Sequence, residues 1–435
     1  MGGAVGTVLR LLCLAVSGVV AAAMLTVTVQ LAATTALIMG GTGHPLVGDS
    51  PGFVEQYTRG ALDLFIAPTG AVRADSSDPG TYHRVAVGTP EQFWPLVGAS
   101  RFDASVTAGA DNLGNCLQGR TSCAAGHFGP DSPASEYVVF GYSQSARIAT
   151  IVKRDLIAQY RDSIGTTPAV SFVVVSNPNR PNGGFLERFA GLYIPILGVT
   201  FDGATPTDSC DAGGTGCRFL TADIAQQYDG WADFPLRPLN LLADLNALAG
   251  IVYLHENYTV SVTGAINQGT TGDTTYYLLP TKRLPLLMPL AQLGVPGPIL
   301  DVLDAPLRVI VEWAYDRTSN PGEPTRATLA NPTNPATMVR DLLAAIPVGL
   351  DDGLQEAGLG RPLGTTPAGP FGVGGATLPA GSPPSSPAPA ARRATARPPR
   401  AAGLRPRTPP ARSARPQPGN ATPAHPGVGR HRARF

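Results

Sequence analysis

The sequence predicts an α/β fold in which a mostly parallel central sheet is covered by helices on both faces. Apolar, strand-like runs recur along the chain, at Val85–Val87, Tyr137–Phe140, Val170–Val175 and Thr221–Gln226. Helical stretches lie between several of them. The run from Ser171 to Val175 is continuously apolar rather than alternating, which is typical of a parallel strand buried on both sides. Residues 34–355 are numerous enough for one large domain with a full core.

The first predicted strand, Thr35–Met39, runs into a glycine-rich turn, Gly40–Pro45. Such a turn exposes backbone N–H groups, which can stabilise the oxyanion of a tetrahedral intermediate. One such donor typically comes from an early strand-to-helix loop, and we expect it to be Thr42. A nucleotide-binding loop is disfavoured, because no Gly-Lys-Ser/Thr ending follows the turn.

The pentapeptide Gly141–Ser145 follows the strand-like run Glu136–Phe140 and precedes the helix-like run Ala146–Val152. Strand, tight turn and helix are the context of a nucleophile elbow, which exposes a serine at the carboxyl edge of a sheet. Ser143 is the candidate nucleophile, and the N–H of Gln144 is the candidate second oxyanion donor. The usual G-x-S-x-G pattern ends here in serine instead of glycine. Taken alone, the motif also fits a serine that merely favours a turn.

Three histidines follow the elbow, His255, His425 and His431, and the last two lie in a low-complexity segment. In hydrolases built on this elbow, the acid and then the histidine follow the serine along the chain. His255, at the end of the short apolar stretch Ile251–Leu254, is therefore the candidate general base. The alternative is a histidine with a purely structural hydrogen bond.

Two carboxylates, Asp229 and Asp233, lie between the predicted strand Thr221–Gln226 and His255. Either could hold the imidazole in one tautomer and stabilise the imidazolium. Asp229 comes first after the strand and is followed by a glycine, so we favour it as the triad acid and keep Asp233 as the alternative. We expect the other carboxylate to cap a helix through Pro235–Leu248.

Beyond His255, the stretches Leu284–Leu290 and Pro298–Val311 are predicted to be apolar helices punctuated by prolines. They could pack in the core or cover an acyl-binding groove, because an ester with a fatty chain needs an apolar wall near the nucleophile. The sequence leaves both interpretations open.

Four of the five cysteines form two pairs of equal spacing, Cys116 with Cys123 and Cys210 with Cys217. The fifth, Cys13, lies in an apolar N-terminal segment. The even set predicts two short disulfide loops in an oxidising compartment. A zinc site would need a closer spacing such as C-x-x-C, so no metal is expected.

Both ends of the chain differ in composition from the predicted domain. Residues 1–33 contain an apolar run, Leu11–Ala33, that is long enough to span a bilayer, and we predict a secretory signal peptide or a membrane anchor. Residues 356–435 are predicted to be a disordered Pro/Ala/Arg-rich tail. The whole chain has 32 Lys+Arg and 31 Asp+Glu, but no acidic residue follows Gly364. The near-neutral total therefore combines an acidic domain with a basic tail.

These ends predict a chain that is secreted or anchored at the outer face of the cytoplasmic membrane, in association with the membrane or cell envelope. Nucleic-acid binding is disfavoured for an exported chain. The arginine-rich tail also lacks interleaved aromatic residues on which bases could stack.

Four sequence blocks, taken in order, resemble the PE-PPE-type serine hydrolase domain of mycobacteria, a cutinase-like α/β-hydrolase. The blocks are Ala36–Gly43, Gly141–Ser145, Tyr228–Pro235 and Tyr276–Lys282. The resemblance runs from about residue 35 to about residue 352, and the family tolerates serine as the last residue of the elbow. The chain looks like a stand-alone exported form, without a PE or PPE module in front of the domain.

The resemblance implies an esterase or lipase-like activity on short to medium acyl esters, through a Ser-His-Asp triad and an acyl-enzyme intermediate, with no cofactor. Some relatives instead move acyl groups onto a cell-envelope glycolipid, and a triad alone cannot separate the two reactions. A third possibility is an inactive module that binds the envelope through its arginine-rich tail.

Overall fold

The computed structural model describes residues 34–70, 82–129, 136–161, 169–211, 216–330 and 334–377. The predicted signal or anchor segment, 1–33, and the tail after residue 377 lie outside the described residues. Within the described part, none of the helices combines the length and the apolar character that crossing a bilayer requires.

A sheet of eight strands forms the centre of the described fold. The described strands, eight in this sheet and two that pair outside it, are β1 (Thr35–Ile38), β2 (His83–Val87), β3 (Ala124–Phe128), β4 (Tyr137–Tyr142), β5 (Val170–Val175), β6 (Tyr193–Ile194), β7 (Val199–Thr200), β8 (Thr221–Gln226), β9 (Ile266–Thr271) and β10 (Thr274–Leu279). Their spatial order is β3-β2-β1-β4-β5-β8-β10-β9, while β6 and β7 pair separately. The six central strands are parallel, and an antiparallel strand lies at each edge. The predicted, mostly parallel sheet is confirmed.

Helices connect these strands and continue beyond the sheet. They are α1 (Pro51–Ala61, extended by Leu62–Ile66 and Ala67–Thr69), α2 (Phe102–Leu117), α3 (Gln144–Tyr160), α4 (Phe185–Arg188), α5 (Leu241–Tyr253), α6 (Met288–Gln292), α7 (Gly297–Glu312) and α8 (Pro335–Glu356). Single 3₁₀ turns form at Thr121–Cys123, Val262–Gly264 and Pro285–Leu287.

Both faces of the sheet are buried. Neighbouring residues of a strand point to opposite sides, so the surroundings of consecutive residues show what covers each face. On β1, Ala36 and Ile38 belong to one apolar cluster, which also contains Phe65. Leu37 lies in a second cluster together with Ile148 of α3. Helices therefore cover both faces, as predicted from the continuously apolar strands.

The chain reverses its direction of travel across the sheet between β1 and β4. From β1 it moves outward to β2 and β3, and from β4 it moves the other way through β5, β8 and β10. In open α/β sheets, ligands bind outside the carboxyl ends of the strands at such a switch point. The glycine-rich turn after β1 and Ser143 after β4 both lie there.

The helix before His255 differs from the prediction. Helix α5 begins at Leu241 rather than near Pro235, and its N-cap is Asn240, whose side chain accepts a hydrogen bond from the N–H of Ala243. The expectation that a spare aspartate caps this helix is therefore wrong. An amide oxygen directly before the first turn meets the same need for an acceptor.

The two proline-punctuated stretches are helical and pack as core. Leu287, Leu300 and Val311 lie in one buried cluster with Leu254 and Tyr228. The described fold also extends past the predicted domain end at residue 355, because Phe371 is buried against Ala225 and Leu278. Phe371 lies within the segment 356–435 that the composition predicts to be a disordered tail, and its packing makes this part of the segment belong to the folded domain.

Both predicted disulfides are present. Cys116 at the end of α2 is joined to Cys123, with 5.5 Å between their Cα atoms, and Cys210 is joined to Cys217. Each bond joins residues seven positions apart, and closing so short a stretch of chain should add little to the stability of the whole fold.

Candidate active site

Ser143 lies in a sharp turn between β4 and α3. Its backbone has φ 59° and ψ −116°, a region that non-glycine residues rarely occupy and that is typical of nucleophile elbows. The turn is so tight that a Cβ on Gly141 would lie 2.4 Å from the carbonyl oxygen of Ser145. The elbow predicted from the sequence is therefore present.

Ser145, which replaces the usual last glycine of the motif, is fully buried and supports the elbow. Its hydroxyl accepts a hydrogen bond from the N–H of Tyr142 at 2.8 Å and lies 3.1 Å from the carbonyl oxygen of the same residue. A serine at this place therefore satisfies backbone groups that the turn would otherwise leave unpaired.

His255 faces the nucleophile directly. Its Nε2 lies 2.7 Å from the Oγ of Ser143, within hydrogen-bond distance for a proton transfer. The backbone N–H of His255 donates to the carbonyl of Gly250 at 3.0 Å, so the end of α5 positions the imidazole. The ring of Tyr142 stacks on it, with 5.5 Å between the ring centroids.

Asp229 lies on the other side of the imidazole and is fully buried. Its two carboxylate oxygens are 3.0 and 3.1 Å from the Nδ1 of His255. The carboxylate also accepts hydrogen bonds from the N–H of Trp231 at 3.0 Å, the hydroxyl of Tyr258 at 2.7 Å and the hydroxyl of Ser176.

This set of donors keeps Asp229 ionised. Burial opposes ionisation, but the charge and hydrogen bond of His255 and the hydroxyls of Ser176 and Tyr258 outweigh it, and they hold the pKa of Asp229 below its usual value. Burial and the Asp229 charge in turn raise the pKa of Tyr258 well above normal, so this phenol keeps its proton and remains a donor. A carboxylate in this state can fix the Nδ1–H tautomer, which leaves Nε2 free to accept the serine proton.

Asp233, the alternative acid, lies in a different network. Its carboxylate receives two hydrogen bonds from the guanidinium of Arg317, at 2.6 and 3.0 Å, and one from the N–H of Tyr228 at 2.8 Å. Arg317 also pairs with Glu312 at 2.9 Å. Asp233 therefore neither caps α5 nor contacts His255 in this structure.

Ser176 and Tyr258 are site residues that sequence reasoning missed. Ser176 follows the last residue of β5, has φ 52°, and places its hydroxyl 2.8 Å from the Nδ1 of His255. Positive φ values also occur at Ser143 after β4 and at Tyr228 after β8. The available signal was position, because polar residues at the carboxyl ends of neighbouring parallel strands meet at one edge.

The two predicted oxyanion donors border the same cleft as Ser143. Thr42 and Gln144 both line it, and within the described residues neither backbone N–H donates to another protein group. The glycine-rich turn lies against the elbow, because a Cβ on Gly41 would come within 2.8 Å of the ring of Tyr142. This turn can therefore present an N–H beside the nucleophile.

The cleft over Ser143 has a volume of about 550 Å³. Its walls are mainly apolar, with Phe53, Phe93, Leu96, Trp231 and Ile251 among the lining side chains. None of the lining residues belongs to the described helices α6, α7 or α8, so those helices do not cover the groove. An acyl chain could lie along these walls with its carbonyl at the serine.

Ser143 lies on a strand–turn–helix elbow and is hydrogen-bonded to a histidine, which a buried aspartate holds in turn. All three lie at the switch point of a parallel sheet. This combination defines the α/β-hydrolase class of fold and site. The family model described as "PE-PPE domain" matches residues 79–316, more than half of the chain. The chain therefore belongs to the PE-PPE domain family.

Several proteins of Mycobacterium tuberculosis are similar to this chain. "Esterase PE16" is 40% identical over 304 residues, which cover 68% of this chain and 51% of the relative. "PE family protein PE3" is 35% identical over 333 residues, covering 75% and 64%. "SL1278 acyltransferase Chp1" is 28% identical over 278 residues, covering 61% and 60%. The chain thus spans about half to two thirds of the length of these relatives.

Among solved structures, a cutinase-like protein from Cryptococcus sp. matches with a TM-score of 0.25 and 19% identity, over 46% of this chain and 79% of that one. The sheet order and the elbow, and not this weak likeness, define the fold.

Proposed function

We propose that this chain is a serine esterase, with Ser143 as nucleophile, His255 as general base and acid, and Asp229 as the orienting carboxylate. The observation that carries the proposal is the hydrogen-bonded line from the Ser143 Oγ to the His255 Nε2, at 2.7 Å, and from the His255 Nδ1 to Asp229, at 3.0 Å. Thr42 and Gln144 are proposed to donate their backbone N–H groups to the oxyanion.

In the first half of the proposed reaction, the Oγ of Ser143 attacks the ester carbonyl carbon while its proton passes to the Nε2 of His255. The carbonyl oxygen becomes the oxyanion. When the intermediate collapses, the bond to the leaving alcohol breaks and the alcohol takes the proton from Nε2. The product of this half is an acyl ester on Ser143.

In the second half, a water molecule attacks the acyl carbon and gives a proton to Nε2. The bond between the acyl carbon and the Oγ of Ser143 then breaks, and the serine recovers its proton from the imidazole. Ionised Asp229 stabilises the imidazolium in both halves.

The expected substrates are esters of short to medium acyl chains. An apolar cleft of about 550 Å³ suits an acyl group. The name of the 40% identical relative, an esterase, supports the same reaction class.

Acyl transfer to a cell-envelope glycolipid is the second candidate. Two similar proteins of Mycobacterium tuberculosis are named acyltransferases, Chp1 and "Diacyltrehalose acyltransferase Chp2", the latter 34% identical over 146 residues. The same acyl-enzyme serves both reactions, and only the attacking hydroxyl differs. Two disulfides support an extracytoplasmic location, where such acceptors occur. Secretion or anchoring through residues 1–33 remains a prediction.

The test is ester hydrolysis by the purified full chain, with p-nitrophenyl butyrate as substrate and Ser143→Ala as the inactive control. We expect hydrolysis by the wild type and a loss of at least about 10³-fold in the variant. Equal rates in both proteins would reject the assignment. Adding a sugar glycolipid then separates the two reactions, because a transferase releases nitrophenol faster and forms an acylated sugar, whereas an esterase forms only the free acid.

A further inference from the structure

Helix α5, which leads into His255, has an apolar face exposed to solvent. Leu241, Leu245, Leu248 and Val252 are 71%, 56%, 53% and 65% exposed. Their spacing of four, three and four residues places them on one side of the helix. The opposite side, with Ala243, Ala247 and Gly250 among its residues, is buried. An apolar helix face normally packs against other apolar groups, so this exposed row lacks the cover that its composition suits.

The exposed face carries no positive charge. Asp244, the one charged residue of α5, lies three residues after Leu241 and four before Leu248, at the edge of the exposed row, and it is half-buried. No lysine or arginine lies within Leu241–Tyr253. A phosphate group or an anionic membrane would find no positively charged partner on this face. A neutral apolar surface needs no such partner and could pack against it.

The exposed row of α5 continues into the cleft over the nucleophile. Ile251, the neighbour of Val252, is a cleft wall residue. Leu96, another wall residue, is 77% exposed and extends apolar surface to the outside of the cleft. An occupant of this face therefore lies beside the entrance through which a substrate reaches Ser143.

We propose that the exposed face of α5 docks on the surface of an aggregated lipid with neutral headgroups, which places the cleft entrance where ester-bearing acyl chains are present. The proposal rests on the esterase function, because it assigns the cleft to an acyl chain. A lipid surface is favoured over a protein partner because it can occupy the helix face and supply the substrate at the same entrance. The apolar side chains would enter the boundary between headgroups and acyl chains.

Helix α8 offers a matched control. Val339, Leu343, Ile346 and Leu350 repeat the spacing of the α5 row and are 48%, 62%, 47% and 42% exposed. No residue of α8 lines the cleft. Substitutions there remove the same kind of apolar surface at a site without that continuity.

The first experiment reads insertion locally in the full chain. In a Cys13→Ser background, Leu248→Cys and, separately, Leu343→Cys are labelled with a polarity-sensitive dye and mixed with neutral phosphatidylcholine vesicles. We expect a blue shift of the emission at position 248 and none at position 343. No shift at 248, or equal shifts at both positions, would overturn the proposal.

The second experiment uses catalysis. The double variant Leu245→Gln/Leu248→Gln should keep its kcat/KM on soluble p-nitrophenyl acetate within about twofold and lose about tenfold on an ester carried in the same vesicles. The variant Leu343→Gln/Ile346→Gln should lose on neither. If the first variant does not fold, Leu241→Gln/Val252→Gln replaces it.

The failures of the two proposals are distinguishable. A blue shift at labelled position 248, together with a wild type that hydrolyses neither substrate, contradicts the esterase function and leaves docking in place. A wild type that hydrolyses the soluble ester, with no shift at labelled position 248, contradicts docking alone. Should α5 variants instead abolish a dimer of the wild type while vesicles have no effect, the occupant is a second copy of the chain and the lipid proposal is wrong.

Discussion

The choice between Asp229 and Asp233 can be tested by two substitutions that should damage different properties. Asp229→Asn keeps the side-chain shape but replaces one acceptor oxygen with an NH₂ group. The carboxylate now accepts from His255, Ser176, Tyr258 and the N–H of Trp231. An amide with one acceptor cannot satisfy all of them and would favour the wrong tautomer of the imidazole.

The expected magnitudes follow from these contacts. Loss of the tautomer-fixing carboxylate lowers kcat by about 10⁴ in triads of this kind, which corresponds to roughly 5 kcal/mol in the activation free energy. Asp233→Asn instead weakens a buried ion pair with Arg317, and breaking such a pair costs about 3–5 kcal/mol of folding stability. We expect the lower value, because Glu312 still pairs with Arg317 at 2.9 Å.

The assay measures both properties in both variants. Initial rates on p-nitrophenyl butyrate give kcat, and thermal unfolding followed by circular dichroism gives Tm. Asp229→Asn should lose orders of magnitude in kcat, whereas Asp233→Asn should unfold roughly 5 °C earlier and keep most of its kcat. The reasoning is refuted if Asp233→Asn shows the larger loss of kcat, or if both variants lose a similar, small amount.

Three further predictions follow from particular contacts. Ser176→Ala should lower kcat/KM by about 10-fold to 100-fold, because a hydrogen bond to the charged carboxylate is lost; Ser171→Ala, on the strand that precedes Ser176, should not. Gly250→Ala should lower Tm, because its Cβ would lie 1.8 Å from a backbone oxygen, whereas Gly60→Ala, with open space around it, should leave Tm unchanged or raise it. Glu91→Gln should flatten the dependence of stability on pH, as measured by urea unfolding from pH 4.5 to 8.

The sign of the last prediction follows from burial. Burial raises the pKa of Glu91 to about 8, above its usual 4.5. The folded state therefore holds a proton that the unfolded state has released, so its stabilising contribution is full below pH 4.5 and falls as pH rises toward 8, by up to about 1.4 kcal/mol per pH unit. A wild type whose stability does not decline with pH, or a Glu91→Gln variant that keeps the decline, would contradict this prediction. Equal effects of Ser176→Ala and Ser171→Ala on kcat/KM, or of Gly250→Ala and Gly60→Ala on Tm, would contradict the other two.

Much of the fold was predictable because its signals are local. Continuous apolarity marks the parallel strands, and Ser143 follows one of them directly. His255 could be named as the candidate base because few histidines follow the elbow. These inferences need only chain order and composition.

The remaining features depend on contacts between distant parts of the chain. Ser176 lies beside Asp229 only because β5 and β8 are neighbours in the sheet. Arg317, which pairs with Asp233, is 84 residues away from it along the chain. The burial of Phe371 against Leu278 is likewise invisible in a proline-rich and glycine-rich composition. Long-range pairing of this kind leaves no periodic signal in the sequence.

The most direct test of the central claim is labelling of the full chain with a fluorophosphonate, followed by mass spectrometry of the intact protein and of its peptides. An activated serine should take one adduct, located at Ser143, and His255→Ala should label far more slowly. Absence of an adduct, or an equal adduct in Ser143→Ala, would contradict the account.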